Sequence, residues 1–322
     1  MERLIYIDVL RGIAILSVVL GHVFYYCGYR ETILCTSIYS CHMSLFMFIS
    51  GFCAMWTYKV NTHRELYRYI FKKVRMILLP FIVWSVLVGP ISECVISDEY
   101  NVSSWWGYYW FLPCLFFLNM CFLLYNILRK KSSSQTYFID GIIILGIFVI
   151  LVVLYIVFPN TLTKRTLTYM CPYFLGVLIA KCRGVNTYIK TKKYTMLLGG
   201  LLYCIMAYFY HYSSINNMDI YAFMTKIIAG FSMIVVCMHL LQNINLPKWL
   251  SKQLQFLGTN TMGIYLIHML FITKLWFPKD LNYGLAMLLG ILVSIFITYF
   301  CVGLINIVRK NKYLSLLLLG KI

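Results

Sequence analysis

Arg11 and His22 stand eleven positions apart in one apolar segment, Ile5-Tyr-Ile-Asp-Val-Leu-Arg-Gly-Ile-Ala-Ile-Leu-Ser-Val-Val-Leu-Gly-His22. On a helix, eleven residues return to within about 20° of the starting direction and span roughly 16 Å. One face therefore carries a guanidinium, an anion binder, towards one end and an imidazole towards the other. Both are costly in hydrocarbon, and ionisable residues at that depth point to a functional site. Asp8, three residues before Arg11 on the same face, is placed to pair with the guanidinium and lower the cost of burying it. Two plainer readings remain open: a histidine satisfied by a backbone carbonyl, and an Arg11–Asp8 pair that only locks the helix.

A second group of cations lies on Phe71-Lys-Lys-Val-Arg-Met-Ile-Leu-Leu-Pro80. Lys72 and Lys73 are the kind of juxtamembrane cations that set topology or meet anionic lipid. Arg75 is already inside the apolar run. Together with Arg11 they suit a phosphorylated ligand. His42, Glu93 and Trp110 fall at about the depth of His22, and Lys226 and Lys274 lie in the same half of their segments. His268, in Gly263-Ile-Tyr-Leu-Ile-His268, falls in mid-membrane, where packing and chemistry are equally open roles. His63 belongs to a polar loop, and His211 and His239 carry no local signal.

These residues must be positioned by membrane helices. The 322-residue chain is 61% hydrophobic and 12% charged, with a mean hydropathy of +0.80; a soluble domain is nearer one quarter charged. Apolar runs long enough to cross about 30 Å of hydrocarbon recur throughout. The expected fold is an all-α polytopic transmembrane bundle, residues 1–322 forming a single domain. About ten spans are expected, near 5–26, 39–58, 76–96, 107–128, 139–158, 168–182, 195–212, 222–241, 258–277 and 284–308. The sixth is short and carries Pro172 and Gly176.

The net charge of +18 raises the possibility of a nucleic-acid partner, but the distribution of the cations argues for topology instead. Arg3, the six cations from Lys59 to Arg75, Arg129 to Lys131, the five from Lys181 to Lys193, Lys248, Lys252 and those from Arg309 to Lys321 all fall on one side if the chain alternates. Arg30, Lys164, Arg165 and Lys279 fall on the other. The positive-inside rule then places both termini in the cytoplasm. The first span has no small-residue cleavage site and is expected to be retained. Of twelve cysteines, Cys53, Cys114, Cys121, Cys204, Cys237 and Cys301 lie within spans; a bridge among Cys27, Cys35 and Cys41 is conceivable. With no Cys-x-x-Cys pair, neither zinc nor redox chemistry is expected. Asn101-Val-Ser103 matches a glycosylation sequon, a tripeptide common by chance.

Four stretches resemble the acyltransferase-3 family of integral membrane acyltransferases, which includes bacterial O-acetyltransferases of surface glycans. They are Asp8 to His22, with an arginine, ten residues and a histidine; His42-Met-Ser-Leu-Phe-Met-Phe-Ile-Ser-Gly51; Lys73-Val-Arg75 with Leu79-Pro80; and Tyr109-Trp-Phe-Leu112 together with Gly258-Thr-Asn-Thr-Met-Gly-Ile-Tyr-Leu-Ile-His268. Ser44 stands where the family usually has proline, and Lys73 where it often has arginine. No carboxylate follows Trp110, which argues against the branch fused to an extracytoplasmic esterase-like domain.

The resemblance implies transfer of an acyl group, typically acetyl, from acetyl-CoA or another acyl-CoA to a hydroxyl of a cell-surface or lipid-linked glycan, in a bacterial cytoplasmic membrane. Neither a metal nor a nucleic acid is implied. His22 would act as general base or carry the acyl group, Arg11 with Lys73 and Arg75 would clamp the donor, and Asp8 would orient Arg11. His42, Ser50, Trp110 and His268 are candidates for the acceptor or oxyanion site. A polysaccharide or small-molecule transporter or flippase is the alternative. The polar motifs concentrate in the first four spans with no mirrored set, which favours an enzyme over a transporter, and an inactive scaffold fits poorly with the intact Arg11 and His22.

Overall fold

The first apolar segment forms one unbroken helix, α1 (Ile5–Tyr26), deeply enclosed by the rest of the protein. Leu10, Ala14, Ile15, Val19, Val23 and Phe24 are fully buried in the computed structural model. The structure describes residues 4–93, 108–131, 137–182, 188–189, 191–216, 218–273, 275 and 282–320, without the side chains of 88–93, 131 and 219. Several sequence features lie outside the described residues: the side chain of Glu93, the sequon at 101–103, and Arg3, Arg183, Lys190, Lys274, Lys279 and Lys321.

Among the described residues every regular element is a helix. After α1 come α2 (Ile33–Thr57), α3 (His63–Lys73), a π-helical turn (Val74–Leu78) and α4 (Leu79–Glu93). There follow α5 (Phe111–Lys131), α6 (Tyr137–Val157), α7 (Thr161–Lys181), α8 (Lys193–Ile215) and α9 (Asp219–Asn243). The last are α10 (Lys248–Ile267), α11 (Met269–Ile272), α12 (Tyr283–Arg309) and α13 (Lys312–Leu319).

Six of these helices, α1, α2, α5, α6, α9 and α12, are long and apolar enough to cross a membrane. The other predicted spans fall on α4, which is described for 15 residues, on α7 and α8, and on α10 with α11. Polar residues dilute that last group: α10 carries Lys248, Lys252, Gln253, Gln255, Thr259, Asn260 and Thr261, and the segment divides at His268. Two helices start earlier than the apolar runs suggest because polar residues cap them. The Thr32 hydroxyl accepts the Cys35 N–H at 3.3 Å, and Asn160 and Thr163 form a capping box for α7. Cys27, Cys35 and Cys41 are buried thiols with no disulfide, so the conceivable bridge is not formed.

Close helix approaches use small residues. A Cβ on Gly12 would collide with the Leu254 carbonyl and one on Gly258 with the Asp8 carbonyl, so α1 and α10 meet backbone to backbone at Arg11. Gly51 and Gly176 make the same reciprocal contact between α2 and α7. Such approaches replace the hydrophobic driving force that lipid does not supply. In contrast, α6 buries only Asp140 and Ile147 and turns its other apolar side chains outward, as a lipid-facing helix does. Asp140 is fully buried and ties three helices together: it accepts hydrogen bonds from Tyr125 Oη (2.8 Å), Arg129 Nε (2.6 Å) and Lys181 Nζ (2.6 Å).

Candidate active site

Arg11 opens into a cavity of about 430 Å³ bounded by α1, α2, α3, α5 and α10. Its guanidinium is one-third exposed, lies 3.4 Å from Asp8 Oδ1 and donates to Cys53 Sγ at 3.1 Å. Lys72, Lys73 and Ser50 share the cavity wall. Lys73 lies over the Tyr69 ring at 5.3 Å, and burial, with Lys72 adding to the effect, pushes its ammonium down to about 8. The Tyr69 hydroxyl in turn donates to Asn119 Oδ1 at 3.3 Å. Three cationic side chains thus face one partly open cavity, an arrangement suited to a phosphate-bearing ligand.

The backbone between α3 and α4 is shaped for this site. Pro80 has no N–H for the Met76 carbonyl, and the turn before it widens to π, with the Leu79 N–H reaching back to the Val74 carbonyl. Gly320 closes α13 at φ +64° and packs its backbone against Arg75 and Met76, where a Cβ has no room. Arg75 is placed behind the cavity rather than in its wall, half-buried, with Nε lacking a hydrogen-bond partner among the described residues.

At the other end of α1, three imidazoles meet. His22 and His268 have ring centroids 5.4 Å apart. Tyr39 bridges to the third: its hydroxyl is 3.0 Å from His22 Nδ1, and its ring is 5.0 Å from that of His42. Nδ1 of His42 lies 2.6 Å from the Ile38 carbonyl, and Nδ1 of His268 lies 3.0 Å from the Ile264 carbonyl. A carbonyl only accepts, so both nitrogens carry the proton and each Nε2 keeps its lone pair. Nε2 of His268 is buried without a hydrogen-bond partner among the described residues. Among the described residues no three His, Cys, Asp or Glu side chains converge as metal ligands.

Tyr265 stands between the two ends. It lines the cavity, its ring is 5.8 Å from His268, and its hydroxyl donates to the Tyr108 carbonyl at 3.1 Å. Trp110 is in neither group. It stacks on Tyr169 at 5.4 Å with Arg165 4.4 Å above its ring.

The structure therefore brings Arg11, Asp8, Lys73 and Ser50 together at one end and His22, His42 and His268 at the other, with Arg75 and Trp110 beside them. Sequence reasoning missed Tyr39, Tyr69, Cys53, Asn119, Tyr265 and Arg165, and left Lys72 open between topology, anionic lipid and a phosphorylated ligand. Most enter through contacts between different helices, which no local motif signals.

A family model described as an acyltransferase domain matches residues 4–306, nearly the whole chain. No curated protein and no solved structure matches it.

Proposed function

Because the chain belongs to the acyltransferase-3 family, we propose that this membrane acyltransferase moves an acyl group, acetyl in the simplest case, from cytoplasmic acyl-CoA to a hydroxyl of a cell-surface or lipid-linked glycan. The observation that carries this reading is the division of labour along α1: Arg11 faces a cavity lined by cations, and His22 faces a cluster of imidazoles roughly 16 Å further along the helix.

The charge distribution supports ten spans with both termini in the cytoplasm, and the family resemblance implies the inner membrane of a bacterium. Arg11 and the cavity then lie towards the cytoplasm, where CoA is supplied, and His22 towards the outer face. Arg11, Lys72 and Lys73 hold the phosphates of the donor, while Arg75 supports the π turn beside them. Asp8 keeps Arg11 oriented. The pantetheine arm runs along the α1 face past Tyr265 and brings the thioester to the histidines.

The chemistry there needs no group beyond these side chains. His22 takes the proton of the acceptor hydroxyl as its oxygen attacks the thioester carbonyl. The tetrahedral intermediate collapses, the C–S bond breaks, and the thiolate takes the same proton back from the imidazolium, giving free CoA and the ester. Tyr39 orients His22 through Nδ1, leaving Nε2 for the hydroxyl. His42, beside Tyr39, can accept a hydrogen bond from the acceptor through its Nε2 lone pair, while Ser50 belongs to the donor cavity.

Purified protein, radiolabelled acetyl-CoA and a bacterial surface glycan provide the test. Label appearing on the glycan, dependent on His22, supports the reading; passage of glycan across a vesicle membrane without label supports a transporter.

A further inference from the structure

Beside the histidines lies a second set of charges that the transfer chemistry leaves unused. Arg165 is near the start of α7, and Lys226 is eight residues into α9. Both are half-buried, and among the described residues neither comes within 4 Å of a carboxylate. Aromatic rings hold them instead. Arg165 lies 4.4 Å over Trp110, Trp110 stacks on Tyr169, and Lys226 lies 5.8 Å from the ring centres of both Tyr169 and Tyr210. The result is a continuous row, Arg165, Trp110, Tyr169, Lys226 and Tyr210.

The row is coupled to the histidine cluster at both ends. Arg165 interacts electrostatically with Tyr265, whose ring packs on His268. Lys226 interacts electrostatically with His42. Two partly desolvated cations next to an acyl-accepting centre cost free energy unless an anion completes them. Aromatic faces leave the charge of each cation available while fixing its position.

We propose that this row is the acceptor subsite for an anionic sugar, one bearing a carboxylate or phosphate near the hydroxyl that is acylated. The inference rests on the acyltransferase reading for the identity of the acceptor, but binding can be measured without turnover. Arg165 donates a charge-assisted hydrogen bond to the acid group, Lys226 adds a second positive charge along the row, and Trp110 and Tyr169, which hold the two cations, fix the distance from the acid to His22.

The test uses the full chain in zwitterionic nanodiscs. Affinities are measured for oligogalacturonate against its methyl ester, and for mannose 6-phosphate against mannose. At least one acid should bind more tightly than its neutral partner by about tenfold, the scale of a hydrogen bond to a charged group. Arg165→Gln and Lys226→Gln should each erase most of that preference, while Arg165→Lys should keep part of it. His22→Ala should retain the preference and lose label transfer. Equal affinity for acid and neutral forms, no binding of any of the four, or a preference untouched by both glutamine variants would overturn the proposal. So would capture of phosphatidylglycerol from mixed nanodiscs with no discrimination among the sugars. If the acid preference is found but no acyl label is ever transferred, the subsite stands and the acyltransferase reading of the histidines fails.

Discussion

His22 and His268 face one another with ring centroids 5.4 Å apart and planes tilted by 45°, joining the end of α1 to the break between α10 and α11. The Ile264 carbonyl holds the proton of His268 on Nδ1, so a buried lone pair on Nε2 is left beside the proposed general base. In the proposed mechanism this gives His268 a specific role: its lone pair stabilises the imidazolium formed when His22 takes the acceptor's proton, until that proton passes to the thiolate. His268→Gln keeps a polar side chain of similar length but cannot be protonated. Transfer should fall about a hundredfold, the lower range for general acid–base assistance, with CoA affinity unchanged in a titration of the same preparation. A His268→Gln enzyme of wild-type rate would reduce this residue to a packing role.

Tyr39 presents its hydroxyl 3.0 Å from His22 Nδ1. Removing an orienting partner of this kind costs about tenfold to a hundredfold in comparable second-layer contacts. Tyr39→Phe should therefore lower the maximal rate of transfer by that factor and leave the donor KM close to its original value. A rise in donor KM with no change in maximal rate would place Tyr39 in donor binding instead.

Lys73 provides a pH dependence with a definite sign. Its ammonium titrates at about 8 because burial disfavours the charge, and the cationic form is the one that attracts phosphate. Donor affinity should be full below about pH 7 and fall several-fold as pH rises through about 8, whereas Lys73→Arg, which stays charged, should flatten the curve. CoA binding measured between those limits checks both statements. A flat wild-type curve would remove Lys73 from the donor site.

The Asp140 network makes a prediction about stability. Asp140→Asn leaves Arg129 and Lys181 facing a neutral amide in the protein interior, which costs about 3 kcal/mol by analogy with other broken buried pairs. Thermal unfolding in mild detergent should shift clearly downward, and adding Lys181→Met should recover part of the loss. Unchanged unfolding of the single variant would show that solvent reaches the network.

What the sequence displays well is whatever one helix carries by itself. Arg11, Asp8 and His22 share α1, so periodicity alone puts them on a common face, and the structure keeps both the helix and the Arg11–Asp8 contact. Hydropathy likewise locates α1, α2, α5, α6, α9 and α12 to within a few residues at most ends. It does less well where polar residues serve the interior, as in α10, or where Thr32 and Asn160 extend a helix beyond its apolar run. Contacts between helices leave no comparable trace. Arg129 and Lys181 look like cytoplasmic topology markers but close on Asp140. His268, whose role was open between packing and chemistry, comes to lie against His22. The Gly12–Gly258 approach that brings α10 onto α1 is invisible until both helices are in place.

The central claim is that His22 performs acyl transfer from a donor bound at the Arg11 end of the same helix. The most direct measurement reconstitutes wild-type protein and His22→Ala side by side in proteoliposomes, supplies radiolabelled acetyl-CoA on the cytoplasmic side, and counts label on an acidic surface glycan on the other. Label on the glycan with the wild type, and none above background with His22→Ala despite equal protein and equal CoA binding, is the predicted result. Equal labelling by the two proteins, or glycan movement without labelling by either, would contradict it.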